Sequence, residues 1–76
     1  MARYYFDISL NEQLRPDEEG LELTDDPAAR HEAVLTLAQM AAEEIPRDGK
    51  LVLAVSVSDH RRHPLFRAQI TFEMSE

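Results

Sequence analysis

One uninterrupted helix-forming stretch, from Pro27 to about Glu44, stands in this chain among segments that alternate apolar and polar residues. That combination constrains the fold more than any other feature. A single helix can cover only one face of a small sheet, so the strands must supply the rest of the core. Asp25 or Asp26 can cap the helix by accepting hydrogen bonds from its first free amides. Pro27 fits the opening turn, where its missing N–H is harmless. Pro46 and Gly49 end the helix. On a helical wheel Ala33, Val34, Leu37, Met40, Ala41 and Ile45 form one apolar stripe, which is expected to face the sheet. Leu35 lies on nearly the opposite side, flanked by Ala28 and Ala42, and makes a second, weaker apolar patch.

The strands follow from period-two alternation. In residues 3–10, Tyr4, Phe6, Ile8 and Leu10 point one way, and Tyr5, Asp7 and Ser9 the other. A turn at Asn11-Glu12 leads to a short return strand from Gln13 to Pro16, with Leu14 expected inward and Pro16 marking an edge. Gly20 turns the chain, and Leu21 and Leu23 are expected to tuck under the sheet. Residues 51–58 place Leu51, Leu53, Val55 and Val57 inward. Residues 66–74 do the same with Phe66, Ala68, Ile70, Phe72 and Met74. Asp59–Pro64 forms the hairpin loop between them. The architecture read from these segments is α+β: a small antiparallel sheet in the order β-β-α-β-β, with one long helix packed on one face. The chain is a single domain over residues 1–76. The opposite sheet face, carrying Tyr5, Asp7, Val52, Ala54, Ser56, Arg67, Gln69 and Thr71, is left without a covering element. It is therefore expected to meet solvent, a partner or a second copy.

Charge is distributed unevenly. Residues 7–26 carry eight acids and one arginine, a local charge of −7 that equals the net charge of the 76-residue chain. Arg61, Arg62 and Arg67 cluster with His60 and His63 near the other end. The acidic balance disfavours nucleic acid and anionic membranes, whose phosphates repel it. Tyr4, Tyr5 and Phe6 resemble a base-stacking platform only in composition, because Asp7 surrounds them with charge of the wrong sign. An apolar fraction of 43% supports a folded core despite 30% charged residues. No apolar run is long enough to span a bilayer, and a soluble cytoplasmic protein is expected. The chain has no cysteine, so disulfides and thiolate metal sites do not arise.

At these residues the chain resembles a family of short, uncharacterised alphaproteobacterial proteins. The resemblance is carried by Arg3-Tyr4-Tyr5-Phe6-Asp7, by the D-x-E-G-x-E-like element Asp17-Glu18-Glu19-Gly20-Leu21-Glu22, and by Ala29-Arg30-His31-Glu32-Ala33. It covers essentially the whole chain and implies no activity. Element order and the Glu-Ala pair on the helix are also loosely similar to antitoxins of the HicB type. The last hairpin departs from the first family's pattern, with His60-Arg61-Arg62-His63 where a tight Asp/Gly-rich turn is expected.

The candidate chemistry is sparse. Asp17, Glu18, Glu19 and Glu22 could supply oxygens to a hard cation, but the twelve-residue calcium-loop pattern is absent. His60 and His63 have only Asp59 as a near carboxylate. Ser9, Ser56, Ser58 and Ser75 lack a nucleophile motif. No catalytic residue, metal ligand or cofactor is assigned. The residues expected to meet a partner are Asp17, Glu18, Glu19, Glu22, Tyr5, Leu35, Arg61 and Arg62. The expected partner is a second copy, through the open sheet face or the Leu35 patch. The alternative is a basic protein that the acidic segment masks in an antitoxin-like way.

Overall fold

A computed structural model describes residues 1–44 and 49–73. Its elements are β1 (Ala2–Leu10), β2 (Gln13–Arg15), β3 (Leu21–Leu23), α1 (Asp26–Glu44), β4 (Lys50–Ser58) and β5 (Pro64–Glu73). All pairings are antiparallel, in the order β2-β1-β4-β5, with β3 also on β1. The fold is the small α+β architecture expected, with one strand more. Ile45, Pro46 and Met74 lie outside the described residues.

Register explains the core. Phe6, Ile8 and Leu10 of β1 oppose Val57, Val55 and Leu53 of β4, which in turn oppose Phe66, Ala68 and Ile70 of β5. The alternating apolar sets of three strands therefore share one face. Leu53, Val55 and Val57 are fully buried beneath the helix, each stabilising the fold by about 1.5–3 kcal/mol relative to exposure. Ala29 and Ala33 are also fully buried, and their small side chains let α1 sit close to the sheet, with Leu37 beside them. The helix rests mainly on β4 and β5. Phe6, Ile8 and Leu10 on β1, and Phe66, Ile70 and Phe72 on β5, consequently stay half-buried.

Three inward assignments are corrected. Leu14 pairs with Ser9, so the two-residue turn places it on the open face, where it is 65% exposed. Val34 is 59% exposed, because the sheet reaches only the Ala29–Ala33–Leu37 side of the helix and Val34 lies past its border. Leu21 is exposed as well, whereas Leu23 packs on the core. Leu21 and Leu23 also form a true strand, β3, where a tucked loop was expected.

β2 and β3 are two pieces of one interrupted return. The step from Arg15 to Leu21 takes six residues and faces a four-residue step from Ile8 to Tyr4 on β1. Two extra residues must bulge out between them, in Pro16–Gly20. At the other turn Asn11 and Glu12 both have positive φ, 46° and 76°, as a two-residue turn matched to strand twist requires. The Asn11 side chain locks this turn to the sheet by accepting from Val52 N–H at 2.8 Å, while Asn11 N–H donates to Val52 C=O at 2.9 Å.

The helix start follows the sequence closely. Asp25 Oδ1 accepts from Ala28 N–H at 2.9 Å, and Asp25 C=O accepts from Ala29 N–H at 3.1 Å, which makes Asp25 the N-cap. The Tyr4 hydroxyl donates to Asp26 Oδ1 at 2.8 Å, tying β1 to the first turn. This bond, together with burial and the nearby Asp25 and Asp26 charges, raises the Tyr4 phenol above its ordinary pKa. Asp25→Ala should cost about 1 kcal/mol of stability in urea unfolding, and Asp25→Asn much less.

Candidate functional site

The acidic segment and the basic tip, far apart in sequence, meet on the open sheet face. Arg62 joins them. Its guanidinium lies 3.6 Å from the centre of the Tyr5 ring, donates to the Asp17 backbone C=O at 2.9 Å and pairs with Asp7 Oδ1 at 3.7 Å. Tyr5 and Asp7 stand here because alternation along β1 turns them away from the helix. Arg62 is brought in by its loop, where it takes a left-handed conformation with φ 66°.

Asp59 builds that loop. Its Oδ1 accepts from Arg61 N–H at 2.8 Å and from His63 N–H at 2.9 Å, and its C=O accepts from Arg62 N–H. The His63 amide bond, helped by that of Arg61 and by the His63 and His60 side chains, holds the Asp59 carboxyl below the usual carboxylate range against the opposing effect of burial.

Asp17 plays the same part in the Pro16–Gly20 bulge. Its Oδ2 accepts from Phe6 N–H at 3.1 Å, the position a neighbouring strand carbonyl would otherwise fill. Its Oδ1 accepts from Glu19 N–H at 3.1 Å and Gly20 N–H at 3.0 Å, and its own N–H donates to Asp7 Oδ1 at 2.8 Å. Partial burial pushes the Asp17 carboxyl up, but the Gly20, Phe6 and Glu19 amides and the Arg62 charge outweigh it and hold the group below its ordinary value. Gly20, with φ 75°, lies where a Cβ would meet Tyr5 Cε1 and Tyr4 C=O at 3.0 Å and Arg3 Cγ at 2.9 Å. The Tyr5 ring is thus held between Gly20 and Arg62.

Of the residues expected to meet a partner, Tyr5, Asp17 and Arg62 come together in this node. Glu22 pairs with Arg3 at 3.5 Å, and Arg3 also donates to Glu19 C=O. Glu18, Glu19 and Arg61 are exposed. Leu35 is on the helix, away from the node, and 42% exposed. Asp7 and Asp59 were not singled out from sequence. Asp7 was signalled by its alternation beside Tyr5, and Asp59 by its place at the head of a loop.

What the node can do chemically is limited. Asp7, Ser56, Ser58, Arg62 and Pro64 line a shallow cleft of about 140 Å³. Within it the Ser58 hydroxyl is buried and has no hydrogen-bond partner among the described residues. The Arg62 donors are already engaged with Asp7 and Asp17, so little of that charge is left for a ligand. The Arg62–Asp7 pair is half-exposed and contributes at most about 1 kcal/mol.

No curated protein and no solved structure is found to be similar to this chain. The family model described as a domain of unknown function, DUF6894, matches residues 3–71, and the chain belongs to that family.

Proposed function

We propose that this chain is a non-catalytic protein-interaction module that acts by self-association. The observation that carries the reading is apolar surface that one helix fails to cover. Phe66, Ile70 and Phe72 on β5 are half-buried, and Val34 beside them is exposed. A second copy would remove this surface from water at no cost in unpaired charge. The masking of a basic partner by the acidic segment has less to draw on. Asp17 is committed to three backbone amides, and Glu22 to Arg3.

Sedimentation equilibrium from low to high micromolar concentration tests the reading. The apparent mass should rise from the 8.7 kDa of one chain toward twice that value. A mass fixed at one chain throughout contradicts it. Leu35→Glu and Val52→Glu report separately on the helix back and the open sheet face. Association that survives both leaves the β5 edge as the contact.

A further inference from the structure

We infer that two copies pair through the free edge of β5, antiparallel, with Ile70 on the two-fold axis, so that one sheet runs across both. This rests on the self-association reading and specifies its contact. β5 is ten residues long and ends the strand order, with its outer edge unpaired among the described residues. A free edge of that length is a template for another strand.

The hydrogen-bonding parity of β5 can be read from Asn11. Val52 directs both its N–H and its C=O toward Asn11, on the β1 side of β4. In an antiparallel ladder that direction alternates. The residues of β5 opposite Lys50, Val52, Ala54 and Ser56 therefore turn their backbone groups outward: Glu73, Thr71, Gln69 and Arg67. Phe66, Ala68, Ile70 and Phe72 bond inward to β4.

Self-pairing about Ile70 matches these groups. Arg67 falls opposite Glu73 of the second copy, and Gln69 opposite Thr71, each pair exchanging outward backbone bonds. On the helix side Ala68 falls opposite Phe72, small against large, and Ile70 opposite Ile70. The symmetric operation creates two Arg–Glu pairs and places no like charges face to face. Centring the pairing on Gln69 instead sets Arg67 against Thr71 and Glu73 against Leu65, and both ion pairs are lost. Glu73 already accepts an exposed contact from Lys50 at 3.8 Å, which leaves its second oxygen available.

An axis perpendicular to the sheet also keeps both helices on the same side. Arg30 lies over the Phe66 ring at 4.6 Å, so the β5 flank of α1 is the one that Arg30 and Val34, one turn apart, share. The pairing brings the two Val34 flanks toward each other above the Ile70 seam.

Two variants and one control test the pairing, with sedimentation of the unaltered chain alongside. Arg67→Glu alone and Glu73→Arg alone should each weaken dimerisation by about tenfold or more, because each sets like charges opposite. The double exchange Arg67→Glu/Glu73→Arg should restore it. All three changes lie on exposed side chains, so folding is not at stake. Ile70→Cys should oxidise to a disulfide-linked dimer, since paired residues of this kind lie about 4.5 Å apart between Cα atoms, within disulfide reach. The natural chain has no cysteine to compete. Ala42→Cys, on the helix away from the seam, should cross-link far more slowly. Single charge reversals without effect, or equal cross-linking at both cysteines, overturn the edge pairing. If the unaltered chain dimerises under those conditions, self-association stands with another contact. If it is monomeric at every concentration, both fail.

Discussion

Asp17→Ala should lose about 3 kcal/mol of folding stability in urea unfolding followed by circular dichroism. One carboxylate answers three backbone amides, those of Phe6, Glu19 and Gly20. Bonds to a charged acceptor are each worth about 1.5–3 kcal/mol, and a part-buried N–H left unmet costs a further desolvation penalty. The two exposed amides can turn to water, which keeps the total below the plain sum. Set against a net stability of about 5–15 kcal/mol for globular domains, this is a large fraction for a small one. Asp17→Asn keeps a carbonyl acceptor and should cost less than half as much. A loss below 1 kcal/mol for the alanine variant would mean that the carboxylate does not organise the bulge.

The same carboxylate fixes a direction of pH dependence. Its folded pKa is depressed, so the folded state binds fewer protons than the unfolded state through the acid range. The stability it contributes is fully present above the ordinary carboxylate pKa of about 3.9, and it disappears as pH falls through the lower folded value. Asp59 is depressed as well and acts in the same direction. In Asp17→Asn the loss of stability on acidification should be shallower than in the unaltered chain.

Gly20→Ala should be comparably damaging, by about 2–4 kcal/mol. Part of this is conformational, since a side chain at φ 75° costs about 1–2 kcal/mol. The rest is steric. The added Cβ would press at 3.0 Å on the Tyr4 carbonyl, which the sheet fixes, and on the Tyr5 ring, which Arg62 holds from its other side. Gly49→Ala separates the two contributions. Gly49 also has positive φ, 85°, but a Cβ there meets nothing within 4 Å. Its substitution should cost only about 1 kcal/mol, and equal losses at the two glycines would remove the steric part of the argument.

Where the sequence succeeded and failed follows from the length of each signal. β4, β5 and the helix each carry enough residues for their period to appear, and their inward sets were legible apart from Val34, at the border of the stripe. β2 and β3 have three residues each, too few for alternation to define a side. The side of Leu14 depends on the length of the turn at Asn11-Glu12 and not on any local pattern. The node was less legible still. Local charge singled out Asp17, and the Asp17-to-Gly20 spacing hinted at a turn, yet its carboxylate's place at Phe6 N–H depends on a bulge spread over two strands. Arg62 reaches Asp17 across 45 positions, a contact that only the completed sheet creates. The acidic segment and the basic tip are complementary, and much of that complementarity is met within the chain.

Self-association through the β5 edge is tested most directly by amide hydrogen exchange on β5 across a concentration series. The inward amides of Ala68 and Ile70 should be protected at every concentration. The outward amides of Arg67, Gln69, Thr71 and Glu73 should exchange freely in dilute solution and gain protection together as concentration rises. Outward amides that exchange freely even where the chain is most concentrated would contradict it.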